Sequence, residues 1–151
     1  MSTSTLLHQA VRLPARTRRG GKERALMVME VVLAVGAYGG GLMMMLVQPD
    51  DYLPPEWLGR TPFRSWVLPG VALTLLVGVL PTLALAGAIR RSGWAGLGHV
   101  TVGAVLVGWI AIQVAWVGLV APSLQLSYLT FGLVLVGVAF LDLRGRLRNV
   151  A

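Results

Sequence analysis

Four runs of apolar residues divide this chain, and little else about it constrains the fold so strongly. The first reads ALMVMEVVLAVGAYGGGLMMMLV, residues 25–47. The others cover about residues 66–89, 95–120 and 124–141. A helix rises ~1.5 Å per residue, so roughly 20 apolar residues cross a hydrocarbon layer of ~30 Å. Lipid offers no water to free N–H and C=O groups, so such runs are helices rather than open strands. The expected fold is all-α, a four-helix transmembrane bundle. The fourth run is the shortest and should tilt least. Charged residues make up 13% of the chain, about half the ~25% of a soluble domain. There is no cysteine, which excludes disulfides, thiol redox chemistry and Cys-ligated metals.

The net charge is +7, and its placement says more than its size. Arg12, Arg16, Arg18, Arg19, Lys22 and Arg24 precede the first run. Arg90 and Arg91 follow the second; Arg144, Arg146 and Arg148 follow the fourth. Only Arg60 and Arg64 lie in the connection between the first and second. The excess of cations on one side predicts that both termini are cytoplasmic, with connection 48–65 outside. The expected organisation is a basic tail over 1–24, a membrane domain over 25–141 and a basic tail over 142–151. The expected location is the cell membrane of a bacterium, crossed several times. The same placement explains the basic charge without nucleic acid. Membrane lipids are the expected partners, and a homo-oligomer or larger membrane complex stays open. TRRGGK before the first run invites comparison with a targeting peptide, but that run is too long for a signal h-region and reads as a retained anchor. Upstream, Leu6, Leu7, Ala10 and Val11 share one helical face. A short interfacial helix and a frayed tail both fit.

Within the first run, Gly36 and Gly40, and Ala37 and Gly41, are spaced four apart, so a neighbouring helix can approach closely. The neighbour is a helix of the same chain, which is the expected case because three other spans compete for that face, or of a second copy. Pro69 suits a first turn, whereas Pro81 should kink the second run. Glu30 is the only acid inside a run, and it shares a stripe with Ala34, Ala37 and Gly41. Near the cytoplasmic boundary, Glu30 can reach the interface or pair with Arg24, Arg90 or Arg91. His99 enters the third run from the same side at similar depth, so a Glu30–His99 pair is also possible, as is a histidine bonded to water or lipid at the headgroups. One His and one Glu are too few for a metal site. Toward the other side, Gln113 is expected to bond Tyr128 or Ser127 of the fourth run, near Gln125. These four residues, Glu30, His99, Gln113 and Tyr128, form a candidate intramembrane polar site. Trp57, Trp66 and Trp116 should mark the outer interface and Trp94 the inner one, with Trp109 deeper as packing.

The connection PDDYLPPEWLGRTPFRSWVLPG, residues 49–70, is stiffened by proline and heavy in aromatics. Fixed φ at Pro54 and Pro55 makes it a rigid cap. Trp57, Arg60, Thr61, Phe63, Arg64 and Trp66 form a candidate outer-loop site, where a cap over a polar bundle end makes a headgroup or ligand pocket.

WLGRTPFRSWVLPG, the pair Arg90–Arg91, GWIAIQVAWVG and LQLSYLTFGLVLVG resemble an uncharacterised family of small four-span bacterial membrane proteins. The resemblance covers most of the chain after residue 25 and implies the fold and a bacterial source, but no activity. The positions it would mark are Thr61, Pro62, Phe63, Pro69, Gly70, Trp109 and Gln113. The layout is also similar to small multidrug-resistance transporters, whose acid Glu30 matches loosely, and to DoxX-like proteins, without the specific motifs of either. No nucleophile–base constellation, metal cluster or phosphate loop is legible, so the chain is expected not to be an enzyme and to need no cofactor. The expectation is an accessory or lipid- or small-ligand-binding membrane module. The alternative is a proton-coupled small-molecule transporter using Glu30.

Overall fold

The computed structural model describes residues 20–47 and 53–148. Its helices are α1 (Gly21–Leu46), α2 (Val67–Leu73), α3 (Leu80–Ile89), α4 (Ala95–Val117) and α5 (Pro122–Arg148). A short 3-10 helix, Pro55–Arg60, lies in the long connection. A π-helical turn, Thr74–Val79, joins α2 to α3. The joined segment Val67–Ile89 forms one continuous helix, so four helices are long and apolar enough to cross a membrane.

Each span packs on the next, and the fourth returns to the first. The first and third spans therefore lie diagonally opposite. The centre is filled by Leu26, Leu33, Val77, Val102, Leu106 and Leu135. Outward positions such as Val35, Leu97 and Leu133 are well exposed, as expected where lipid rather than water surrounds the bundle. Apolar contact with lipid gives helices no reason to associate, so close backbone approach must supply dispersion energy. It does so between the first and second spans. A Cβ on Gly41 would lie 2.9 Å from the Gly70 carbonyl oxygen, and one on Gly70 would lie 2.8 Å from that of Gly41. The small-residue stripe thus packs within the chain: Gly40 meets Leu73, and Gly36 meets Tyr128.

Pro81 is buried and explains the wide turn before it. Proline lacks an N–H, and its ring collides with the carbonyl four residues back. In the π turn, Leu80 N–H reaches the Leu75 carbonyl, five residues back, which opens room for that ring. The Thr82 hydroxyl donates to the Gly78 carbonyl at 2.9 Å. That uses its only proton, so at 3.1 Å the Tyr38 hydroxyl donates to Thr82 Oγ1. The first span thereby braces the kink.

The first helix opens at Gly21 rather than Ala25, and the limits of the third and fourth also differ from the hydropathy reading. The third helix stops at Val117 rather than Val120, because Gly118 turns the chain at φ 83°. The fourth begins at Pro122, a favoured first helical position, and continues to Arg148. Its apolar span is not the shortest, and residues 142–148, at the start of the basic tail, are helical. Hydropathy marks where the apolar layer ends, not where hydrogen bonding ends, and nothing between Asp142 and Arg148 breaks a helix. The N-terminal segment read as either an interfacial helix or a frayed tail, and Asp50 and Asp51 of the connection, lie outside the described residues.

Candidate functional site

The connection folds back over the bundle as a fixed roof. Pro55 opens its 3-10 helix and Leu58 is buried beneath it. Thr61 ends the turn in three ways. Its N–H reaches the Leu58 carbonyl at 2.8 Å, its hydroxyl donates to the same oxygen at 2.9 Å, and it accepts from the Phe63 N–H at 3.2 Å. Trp66 Nε1 donates to the Leu53 carbonyl at 2.7 Å, closing the loop on itself. Phe63 meets Trp116 of α4 edge-on, with ring centroids 5.6 Å apart, a favourable aromatic geometry.

Beneath this roof lies a cavity of about 240 Å³. Its walls carry Trp57, Phe63 and Trp66 from the loop side and Trp109 and Trp116 from α4. Met44, Pro69 and Ala72 bring in the first two spans. Thr61, Gln113 and Gln125 are its polar residues, and among the described residues no charged side chain lines it. Of the expected loop-site residues, Trp57, Thr61, Phe63 and Trp66 line the cavity, whereas Arg60 and Arg64 are exposed outside it. Thr61, Phe63, Pro69, Trp109 and Gln113, among the positions marked by the family resemblance, converge here.

The intramembrane polar set divides. Glu30 and His99 meet across the bundle diagonal, with Nδ1 2.7 Å from Oε1 and both side chains fully buried. Gln113 does not join Tyr128 or Ser127. It lines the cavity, while Ser127 donates to the Ser123 carbonyl at 2.7 Å on its own helix. Tyr128 faces Gly36 and is 38% exposed, away from Gln113. Depth along the membrane is readable from sequence, but the rotation of a helix about its axis is set by packing.

Two cavity residues carry more than the sequence reading gave them. Trp109, read as packing, is a wall. Gln125, named only as lying near the expected Gln113 bond, is 7% exposed and donates from Nε2 to the Gly118 carbonyl at 3.0 Å. A signal was present: Trp109, Gln113 and Trp116 follow the i, +4, +7 spacing of one helical stripe.

The cavity can hold an apolar molecule with a neutral polar handle, and the buried pair can hold one proton between carboxylate and imidazole. Among the described residues no group of three or more metal-ligating side chains assembles. No protein-family model matches the chain, and no curated protein or solved structure is detectably similar to it.

Proposed function

We propose that the protein is a non-catalytic membrane module that binds a lipid or small apolar ligand in the roofed aromatic cavity. It acts alone, as a homo-oligomer, or as the accessory subunit of a larger membrane complex. The proposal includes membership of the four-span bacterial family and residence in the cell membrane, with the roof facing outward. What supports it is the cavity itself: about 240 Å³ walled by four tryptophans under a loop that its own hydrogen bonds hold rigid. Concave, mostly apolar sites with few polar groups are what small-molecule binding uses. The test is saturable quenching of tryptophan fluorescence by a brominated apolar probe, with the full chain in nanodiscs. Replacement Trp109→Ala should weaken binding by about tenfold or more. Quenching that rises only in proportion to lipid partitioning, identically in the variant, overturns the reading.

The second reading, a proton-coupled transporter, draws support from the Glu30–His99 pair. Ionisable residues buried in membrane spans commonly serve proton or ion pathways. Yet Glu30 and Met44, like His99 and Gln113, are 14 residues apart, about 21 Å along a helix. Leu33, Val102, Leu106 and Ile110, each 2–4% exposed, fill the bundle between. The pair and the cavity are separated by a dry core, which favours the binding module. Proteoliposomes decide: substrate-coupled proton uptake abolished by Glu30→Gln would reverse the preference.

A further inference from the structure

We infer that the cavity takes a neutral apolar molecule bearing a hydroxyl, with the hydroxyl seated at the amides of Gln125 and Gln113. This rests on the reading of the cavity as a ligand site. The deciding atom is Gln125 Oε1. The Gly118 carbonyl can only accept, so its 3.0 Å bond fixes the nitrogen end of the Gln125 amide. Oε1 is then left as a buried acceptor without a partner, on a side chain that lines the cavity and is 7% exposed. A buried acceptor left unsatisfied is costly, so a donor brought in by a ligand gains more there than at an exposed site. Gln113, half-buried and also lining the cavity, offers both a donor and an acceptor. A hydroxyl both gives and takes a hydrogen bond, which matches the two amides together.

Charge argues the same way. Among the described residues the lining is uncharged. A carboxylate or phosphate drawn inside would lose its hydration without gaining a counter-ion. A quaternary ammonium can rest on tryptophan faces, but it has no N–H to give Gln125 Oε1. Size narrows the class further. A cavity of ~150 Å³ holds benzene, so this one holds roughly ten non-hydrogen atoms, either a whole molecule or the head of a longer amphiphile. Aromatic walls favour a flat ring, which makes a phenol or an aromatic alcohol the best match.

The test compares 6-bromo-2-naphthol with its methyl ether as contact quenchers of tryptophan fluorescence, using the full chain in zwitterionic nanodiscs. The naphthol should saturate at about tenfold lower concentration than the ether. In Gln125→Leu that advantage should vanish while ether binding is kept; Gln113→Leu should reduce it in part. Equal binding of naphthol and ether to the unaltered protein overturns the hydroxyl assignment yet leaves the cavity reading standing. Failure of both to saturate removes the cavity reading too. Tight binding of a naphthyl trimethylammonium, with the naphthol weak, overturns the assignment in favour of a cation. Should Gln125→Leu not fold, the naphthol-to-ether comparison on the unaltered protein still decides.

Discussion

Glu30 and His99 are each 0% exposed, and neither would tolerate that burial alone. Taking a charge from water into a bundle core costs several kcal/mol per ion, and a close partner returns most of it. Each keeps one atom unsatisfied, Glu30 Oε2 and His99 Nε2, so the pair specifies alignment more than it adds stability. Replacing only one member strands the other. Glu30→Leu or His99→Leu alone should destabilise by about 3 kcal/mol or more, whereas the double replacement should recover most of that loss. Detergent unfolding followed by circular dichroism measures the cycle, and additive losses would show that the two residues are not coupled. The sequence allowed this pair, because both residues sit a few positions inside the same bundle end and Glu30 shares a stripe with small residues, but it equally allowed Glu30 to reach the interface or Arg24, Arg90 or Arg91. Gln113 was legible only as a polar group at the loop end. The Trp109–Gln113–Trp116 stripe was readable, but whether it turns toward Tyr128 or toward the loop depends on how α4 rotates against α5, which an almost uniformly apolar helix does not report. The aromatic roof was readable as a rigid cap from its prolines and tryptophans. A pocket below it was expected from the cap alone; which helix residues wall it was not readable, since Met44, Ala72, Trp109 and Gln125 come together only through packing.

Helix identity followed from the length of the apolar runs, while helix ends followed from local chemistry. Gly118 and Pro122 set the α4–α5 turn, ending the third span three residues, and starting the fourth two residues, before the hydropathy limits of 120 and 124. The π turn Thr74–Val79 is a finer device, for a π turn is what one extra residue produces inside an α-helix. Its consequence is that the faces before and after it keep the register of a regular helix one residue shorter. Gly70 faces Gly41 on one side, and Gly87 sits under Trp94 on the other. Deleting Leu76, which is exposed, should therefore preserve both contacts, provided Pro81→Ala accompanies it. In the tightened helix the proline would otherwise cost about 3 kcal/mol. The doubly altered protein should stay monodisperse and melt within about 5 °C of the parent. Deleting Leu83, equally exposed but in regular helix, turns one half by about 100° and should prevent folding. Equal failure of the two deletions would mean that the wide turn is needed for itself rather than as room for Pro81. Gly70→Leu should separate the first two spans and open the cavity wall at Pro69, with loss of both thermal stability and probe saturation.

The bundle has two unlike ends. One carries the roof and the aromatic cavity; the other carries Arg90, Arg91 and the charged close of α5. In sequence, eleven of the thirteen basic residues precede the first span or follow the second and fourth. Cytoplasmic segments of membrane proteins are enriched in Lys and Arg, so the roof should face outward, where the cavity would meet the outer leaflet. The absence of native cysteine allows a clean test by single introductions. Gly59, on the roof, and Gly93, in the basic turn, are both exposed, with open space where a side chain would grow. A thiol at either position should be reactive without disturbing packing. In intact cells a membrane-impermeant maleimide should label the Gly59→Cys protein and leave the Gly93→Cys protein unlabelled until the membrane is broken. The reverse pattern would put the cavity mouth on the cytoplasmic side and make its ligand an intracellular molecule. Labelling of both in intact cells would mean mixed insertion, and the charge bias would then be too weak to fix a single orientation. Adding cations on the roof, for example Gly59→Arg together with Glu56→Arg, should move the labelling of Gly93→Cys toward the intact-cell condition. Orientation would respond in this way only if charge sets it.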